Sequence, residues 1–164
     1  MVHFSPKGFL GRSLLITGFL FAVATAASAV ECPPEHKKAD VRPAPSDKIW
    51  DGAVLVTEGI VDETIASAEI AKPPFNIDGR LFRMRTLKIE PGAVVPWHSH
   101  EDRTAIMYVV KGELTEYASN CAVPVTYKPG DHVAEGPGLA HWWQNHGDET
   151  TMLVSADLLK QEEE

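Results

Sequence analysis

Turn signals constrain this chain more than any other feature. Between Leu81 and Asp157 the apolar runs are short, and most end on glycine or proline. Leu81 to Ile89 closes on Glu90-Pro91-Gly92, and Val94 to His100 follows. Ala105 to Val110 stops at Lys111-Gly112, and Glu113 to Tyr117 continues. Val123 to Tyr127 leads to Pro129-Gly130, and His132 to Glu135 precedes Gly136-Pro137-Gly138. Trp142 to Asn145 and Thr151 to Asp157 complete the series. Short strands at this spacing, with no long amphipathic helix, predict an all-β sandwich or barrel. Upstream, Val54-Leu55-Val56 is a further strand candidate ended by Gly59, and Glu63 to Ala71 reads equally as a helical turn or a strand. Pro73-Pro74 blocks any continuation.

The 164 residues suit one domain with a single core. Residues 1–29 have the layout of a secretory signal peptide. Lys7 and Arg12 form a positive start, Leu14 to Ala24 an apolar run, and Ala27-Ser28-Ala29 a small-residue cleavage site. The run is short of the ~20 residues a membrane span needs. The residues before Cys32 do not resemble those preceding a lipidated cysteine. Residues 30–48, rich in proline, read as a tail or linker. Residues 49–160 form the expected β domain, and 161–164 an acidic end. The expected location is therefore periplasmic or secreted, with no stable membrane span once the signal is removed.

Removing the signal leaves 13 basic against 23 acidic residues, a net charge of −10. That balance argues against a nucleic-acid partner, which needs a basic footprint. It also gives no support for docking on anionic lipid. In an oxidising compartment, Cys32 and Cys121 are free to form a disulfide that would tether the tail to the body. Two cysteines alone do not establish the bond.

Three of the histidines have informative spacing. His98 and His100 are two apart, and on a strand such residues share a face. Both imidazoles would then face the interior, near enough to share one ion, and neutral imidazole is a common ligand of divalent metals. His141 lies just after the Gly-Pro-Gly turn and could supply a third ligand. Trp143 and Asn145 share its parity and would line the same cavity. An isolated H-x-H in a strand is more often incidental than ligating, so the surrounding frame decides.

Gly92, five residues, His98, one residue, His100, eleven residues and Gly112 resemble the first motif of the cupin superfamily. Gly130, seven residues, Gly138, two residues, His141, three residues and Asn145 resemble the second. The resemblance implies a double-stranded antiparallel β-barrel, or jelly roll, of the small single-domain type. It also implies one divalent metal ion (Fe, Mn, Zn, Ni or Cu) held by His98, His100 and His141. Two positions depart from the family pattern. Gly136 stands where the family has proline, with Pro137 one place later. Ala105, seven places before Gly112, stands where the family has its glutamate ligand. The resemblance therefore carries over three histidines and no carboxylate.

Among acids that could substitute, Glu101 and Asp102 read as solvated loop residues, and Glu135, near the second motif, is a weaker candidate. Arg83 and Arg85 share a strand face. Turned inward they could clamp an anionic substrate. The flanking Phe82 and Met84 favour the opposite orientation. Trp97 and Trp142 have the opposite parity to the ligands, which would place them outside the barrel, where a second copy could form a homodimer. Tyr117 and Tyr127 read as packing residues.

The leading functional expectation is a metal-dependent enzyme acting on a small, anionic molecule. Its chemistry would be that of a dioxygenase-type oxidoreductase, or of a lyase or isomerase. Cupins of similar pattern without the glutamate include iron enzymes that oxidise thiols. The alternative, favoured by Ala105, is a non-catalytic exported cupin that binds a metal or small ligand. The sequence names neither the catalytic nor the substrate-binding residues.

Overall fold

A computed structural model describes residues 30–38 and 58–161. The signal segment, the Val54–Val56 strand candidate, the boundary at residue 49 and most of the acidic end lie outside the described residues. Nine strands run through the described body: β1 (Ile60–Glu69), β2 (Arg80–Ile89), β3 (Val94–Ser99), β4 (Ala105–Lys111), β5 (Leu114–Ala118), β6 (Val125–Tyr127), β7 (His132–Glu135), β8 (Ala140–Gln144) and β9 (Thr151–Lys160). Glu63 to Ala71, readable as helix or strand, is strand through Glu69, where β1 ends. It pairs along β2 with a break in register between Thr64 and Ala66.

The strands form two antiparallel sheets, in the orders β1-β2-β9-β4-β7 and β3-β8-β5-β6. Consecutive strands repeatedly change sheet, which gives the jelly-roll barrel. The core lies between the layers. Leu87, Ile89, Met107, Val109 and Leu153 come from the five-stranded sheet, and Leu114, Val125, Tyr127 and Trp143 from the other. The glycines at strand ends make the changes of sheet feasible. Gly112 has φ +75°, and a Cβ there would lie 2.8 Å from the Thr151 backbone, so only glycine fits this turn without displacement.

Strand periodicity corrects two side-chain placements expected from the sequence. On β2 the odd positions point inward, so Arg83 and Arg85 face the interior while Phe82 and Met84 are exposed. Leu87 and Ile89 set this parity, because burying them carries the two arginines to the same side. Each arginine finds a partner there. Arg83 lies opposite Asp157 on β9 and grips it through two hydrogen bonds, Nε to Oδ1 at 3.0 Å and Nη2 to Oδ2 at 2.8 Å.

The second correction is Trp97. Between Val95 and His98 the β3–β8 register slips by one residue: Val95 pairs with Trp143, but His98 pairs with His141. This bulge, which contains Pro96, turns Trp97 inward, where it is buried. Trp142 is half-buried and stacks on Tyr117, with ring centroids 3.9 Å apart. The expected pair of outward tryptophans is therefore absent. The exposed apolar residues of the larger sheet include Phe82, Met84, Ile106, Tyr108 and Val110.

The segment expected to be a tail docks on the barrel over residues 30–38. Cys32 and Cys121 form a disulfide across 89 residues of sequence. The Val30 N–H donates to the His132 carbonyl at 3.3 Å, and the Ala122 N–H to the His36 carbonyl at 2.9 Å.

Candidate metal centre

β3 and β8 are neighbours in the smaller sheet, and their register places His98 directly opposite His141. His100 follows at the end of β3, where its N–H donates to the Leu139 carbonyl at 2.8 Å. The three rings converge. Nε2 of His141 lies 3.0 Å from Nε2 of His100 and 3.1 Å from Nε2 of His98. His100 and His141 are fully buried, and His98 partly so.

The other ring nitrogens identify the tautomers. His98 Nδ1 lies 2.8 Å from the Pro96 carbonyl and His100 Nδ1 3.1 Å from the Arg103 carbonyl. A carbonyl only accepts, so both Nδ1 atoms carry the proton and donate. His141 Nδ1 lies 2.5 Å from Glu116 Oε1 and donates to it when the glutamate is ionised, and the Tyr127 hydroxyl donates to the other Glu116 oxygen at 2.9 Å. The His141 Nε2 lone pair then faces those of His98 and His100 at contact distance, and all three ligand atoms lie within 4.8 Å of one another. A cation resolves that repulsion. Bonds of about 2.1 Å to one ion separate ligand nitrogens by about 3.0 Å at right angles and about 3.4 Å at tetrahedral angles, close to the two spacings to His141. The cluster is thus compatible with a divalent metal.

Electrostatics favour the same occupant. Burial, reinforced by neighbouring positive groups, lowers each of the three histidines to about 3, so they are neutral at physiological pH and available as ligands. Two carboxylates nearby are pushed the other way. Burial raises Glu116 to about 7, against the pull of the Tyr127 hydroxyl. Burial and the charge of Glu116 raise Glu135 to about 8. A buried divalent ion would offset the cost of ionising both.

Glu135 lies beside two members of the cluster. Its Oε2 lies 3.5 Å from His100 Nε2 and its Oε1 3.7 Å from His141 Nε2. Glu101, in contrast, accepts a hydrogen bond from the Gly138 N–H at the surface and stays in its loop.

Of the three histidines, His98 opens onto a cavity of about 550 Å³, whose wall also includes Arg85, Arg103, Trp97, Trp143 and Glu135. Arg85 pairs with Asp62 and with Asp157, the latter at 3.4 Å. Arg103 approaches Asp157 only to 3.8 Å, and its buried Nε has no hydrogen-bond partner among the described residues. Trp143 borders the centre as its parity suggested, with its indole N–H 3.4 Å from His141 Nε2. Asn145 is buried but structural: its amide donates to the Ile89 and Glu149 carbonyls and ties two loops together.

Sequence reasoning missed Glu116 altogether. Its only signal was alternation: Leu114, Glu116 and Ala118 share one face of β5, so a glutamate had to be buried with two apolar neighbours. His132 stays half-exposed on β7, and His146 lies 2.8 Å from the Tyr117 hydroxyl in a surface hydrogen bond.

Two antiparallel sheets in a jelly roll, with three imidazoles gathered in the interior, define a small β-barrel with a site compatible with a divalent metal. Residues 85–157 match the family model of the cupin domain, Cupin_2, so the cupin resemblance is shown over that part of the chain. Germin-like protein subfamily 3 member 1 of Arabidopsis thaliana is 24% identical over 158 residues, covering 87% of this chain and 76% of the plant protein. Auxin-binding protein ABP19b of Prunus persica is 28% identical over 108 residues, covering 63% of this chain and 51% of its own length. The chain therefore spans about half of that second relative. The solved structure of KdgF from a Halomonas species shares the fold, with a TM-score of 0.50 at 18% identity, over 63% of this chain and 82% of that one.

Proposed function

We propose that this protein is an exported, metal-dependent enzyme acting on a small anionic molecule bound beside the three histidines. The observation that carries this reading is the set of three converging Nε2 lone pairs on neutral, oriented imidazoles. The ligands would be His98, His100 and His141, and the ion one of Fe, Mn, Zn, Ni or Cu. Such an ion supplies a Lewis acid or an oxygen-activating centre, which suits a dioxygenase-type oxidation or a lyase or isomerase reaction.

The surrounding residues support the choice of substrate. Arg103 presents a half-buried guanidinium, with a buried and unused Nε donor, on the cavity wall, and Arg85 adds a second positive group. Charge-assisted hydrogen bonds from such groups orient a carboxylate or similar anion. Trp97 and Trp143 supply apolar wall, which narrows access for water. One relative is by name an auxin-binding protein, so a small organic ligand has precedent among similar sequences. The Cys32–Cys121 disulfide suits an oxidising compartment and supports export.

Elemental analysis of the purified protein is the direct test. Near-stoichiometric metal is expected, and its loss in a His98→Ala/His141→Ala variant. Full metal content in that variant would sink the ligand assignment. The second reading, a binding protein without chemistry, is favoured by Ala105 at the family's glutamate position. Turnover of small carboxylates, assayed with each metal with and without oxygen, separates the two. Persistent ligand binding with no turnover under any condition establishes the second.

A further inference from the structure

The absent carboxylate at position 105 has a counterpart across the sheet. β4 and β7 are antiparallel neighbours, and Ala105 lies directly opposite Glu135. Residues opposite one another project on the same face with Cβ atoms about 5 Å apart. Both face the interior, Ala105 2% and Glu135 6% exposed. Alanine at 105 leaves the room that the Glu135 side chain needs to pass into the histidine cluster.

We propose that Glu135 is the carboxylate ligand of this centre, delivered from β7 in place of a glutamate on β4. This rests on the three-histidine metal reading and adds a fourth protein ligand to it. The supporting geometry is the approach of its two oxygens, 3.5 Å from His100 Nε2 and 3.7 Å from His141 Nε2. With bonds of about 2.1 Å to one ion, those separations correspond to ligand angles of about 110–125°. The charges of Arg103 and Arg85 offset the burial of the Glu135 carboxylate only in part. It is buried, no hydrogen bond to its side chain is present among the described residues, and the nitrogens it faces are unprotonated lone-pair donors. Burying a charge without a partner is costly, and a shared cation removes the cost for glutamate and histidines together. The centre would then have three neutral imidazoles and one negative charge, not the more positive carboxylate-free site that Ala105 alone implies.

The test measures binding rather than turnover, using Co(II) and Zn(II) with apo full-length protein. Chelator competition gives the affinity, and the visible Co(II) bands report the ligand set. Glu135→Ala is expected to weaken both metals by at least tenfold and to change the Co(II) spectrum. Glu135→Gln, nearly isosteric, should do the same and covers the case in which the alanine variant fails to fold. Adding Ala105→Glu to Glu135→Ala should return affinity to within a few-fold of wild type, because the new carboxylate starts from the opposite strand position. Wild-type affinity and spectrum in Glu135→Gln would overturn the assignment. A double variant no better than Glu135→Ala would overturn the cross-strand replacement. If wild type binds neither ion, or His98→Ala binds as wild type does, the three-histidine reading fails as well. If His98→Ala loses the ion and Glu135→Gln keeps it, only the fourth ligand falls.

Discussion

His141 Nδ1 and Glu116 Oε1 meet at 2.5 Å in the buried layer between β8 and β5. This contact sets the tautomer of the one histidine whose Nε2 lies close to both others. Glu116 is itself held by the Tyr127 hydroxyl. Outer partners of this kind typically contribute 10- to 100-fold to metal affinity.

Glu116→Ala should therefore lower Zn(II) affinity by about 10- to 100-fold while leaving the three histidines in place. Tyr127→Phe should cost less, since it removes only the outer member of the chain. Chelator competition on the two variants would measure both effects, and equal affinities in wild type and Glu116→Ala would contradict the role given to this contact.

Asp157 organises the arginines, and its titration should appear in acid stability. Burial alone would raise its pKa. The Arg83 hydrogen bonds and the charges of Arg85, Arg83 and Arg103 outweigh burial and hold it below the usual carboxylate range. For a depressed carboxylate, the folded state binds fewer protons than the unfolded one. Its contribution is complete above the unfolded value of about 3.9 and is lost as pH falls through the lower folded value. Asp157→Asn should destabilise the protein at neutral pH by up to about 3–5 kcal/mol, because it removes the buried counter-charge that Arg83, Arg85 and Arg103 share and leaves only Asp62 on Arg85. It should also flatten the loss of stability below pH ~4. Urea denaturation from pH 3 to 7 tests both, and parallel pH profiles for variant and wild type would refute the assignment.

The disulfide should matter through the unfolded chain. It links residues 89 apart in sequence and holds the 30–38 segment on the barrel. Cys121→Ser should cost about 2–4 kcal/mol by releasing that constraint. The measurement is the urea midpoint, with reduced wild type as the matched control. An unchanged midpoint would show that the tail contacts hold without the covalent link.

Much of the barrel was legible in the sequence because strands carry their own punctuation. Pro91-Gly92, Gly112 and Pro129-Gly130 sit where the chain turns, and the runs between them became β2 to β7 with ends shifted by a residue or two. The histidine triad was legible through its spacing within the glycine frame. Glu116 was not, because one glutamate on a short strand has no distinguishing spacing. Its role depends on β5 lying beside β8.

What the amino-acid order determined by itself is local: strand positions, turns, and which residues share a face. Alternation fixes Arg83 with Arg85 and His98 with His100, since a strand repeats every two residues. It does not say which face is inside. Burial of Leu87 and Ile89 decided that for the arginines, and the extra residue in the β3 bulge decided it for Trp97. Pairing between distant strands is likewise tertiary, because it depends on how two sheets close over one core. That closure set Ala105 opposite Glu135 and brought a carboxylate to the histidines from a strand where the linear pattern gave it little weight.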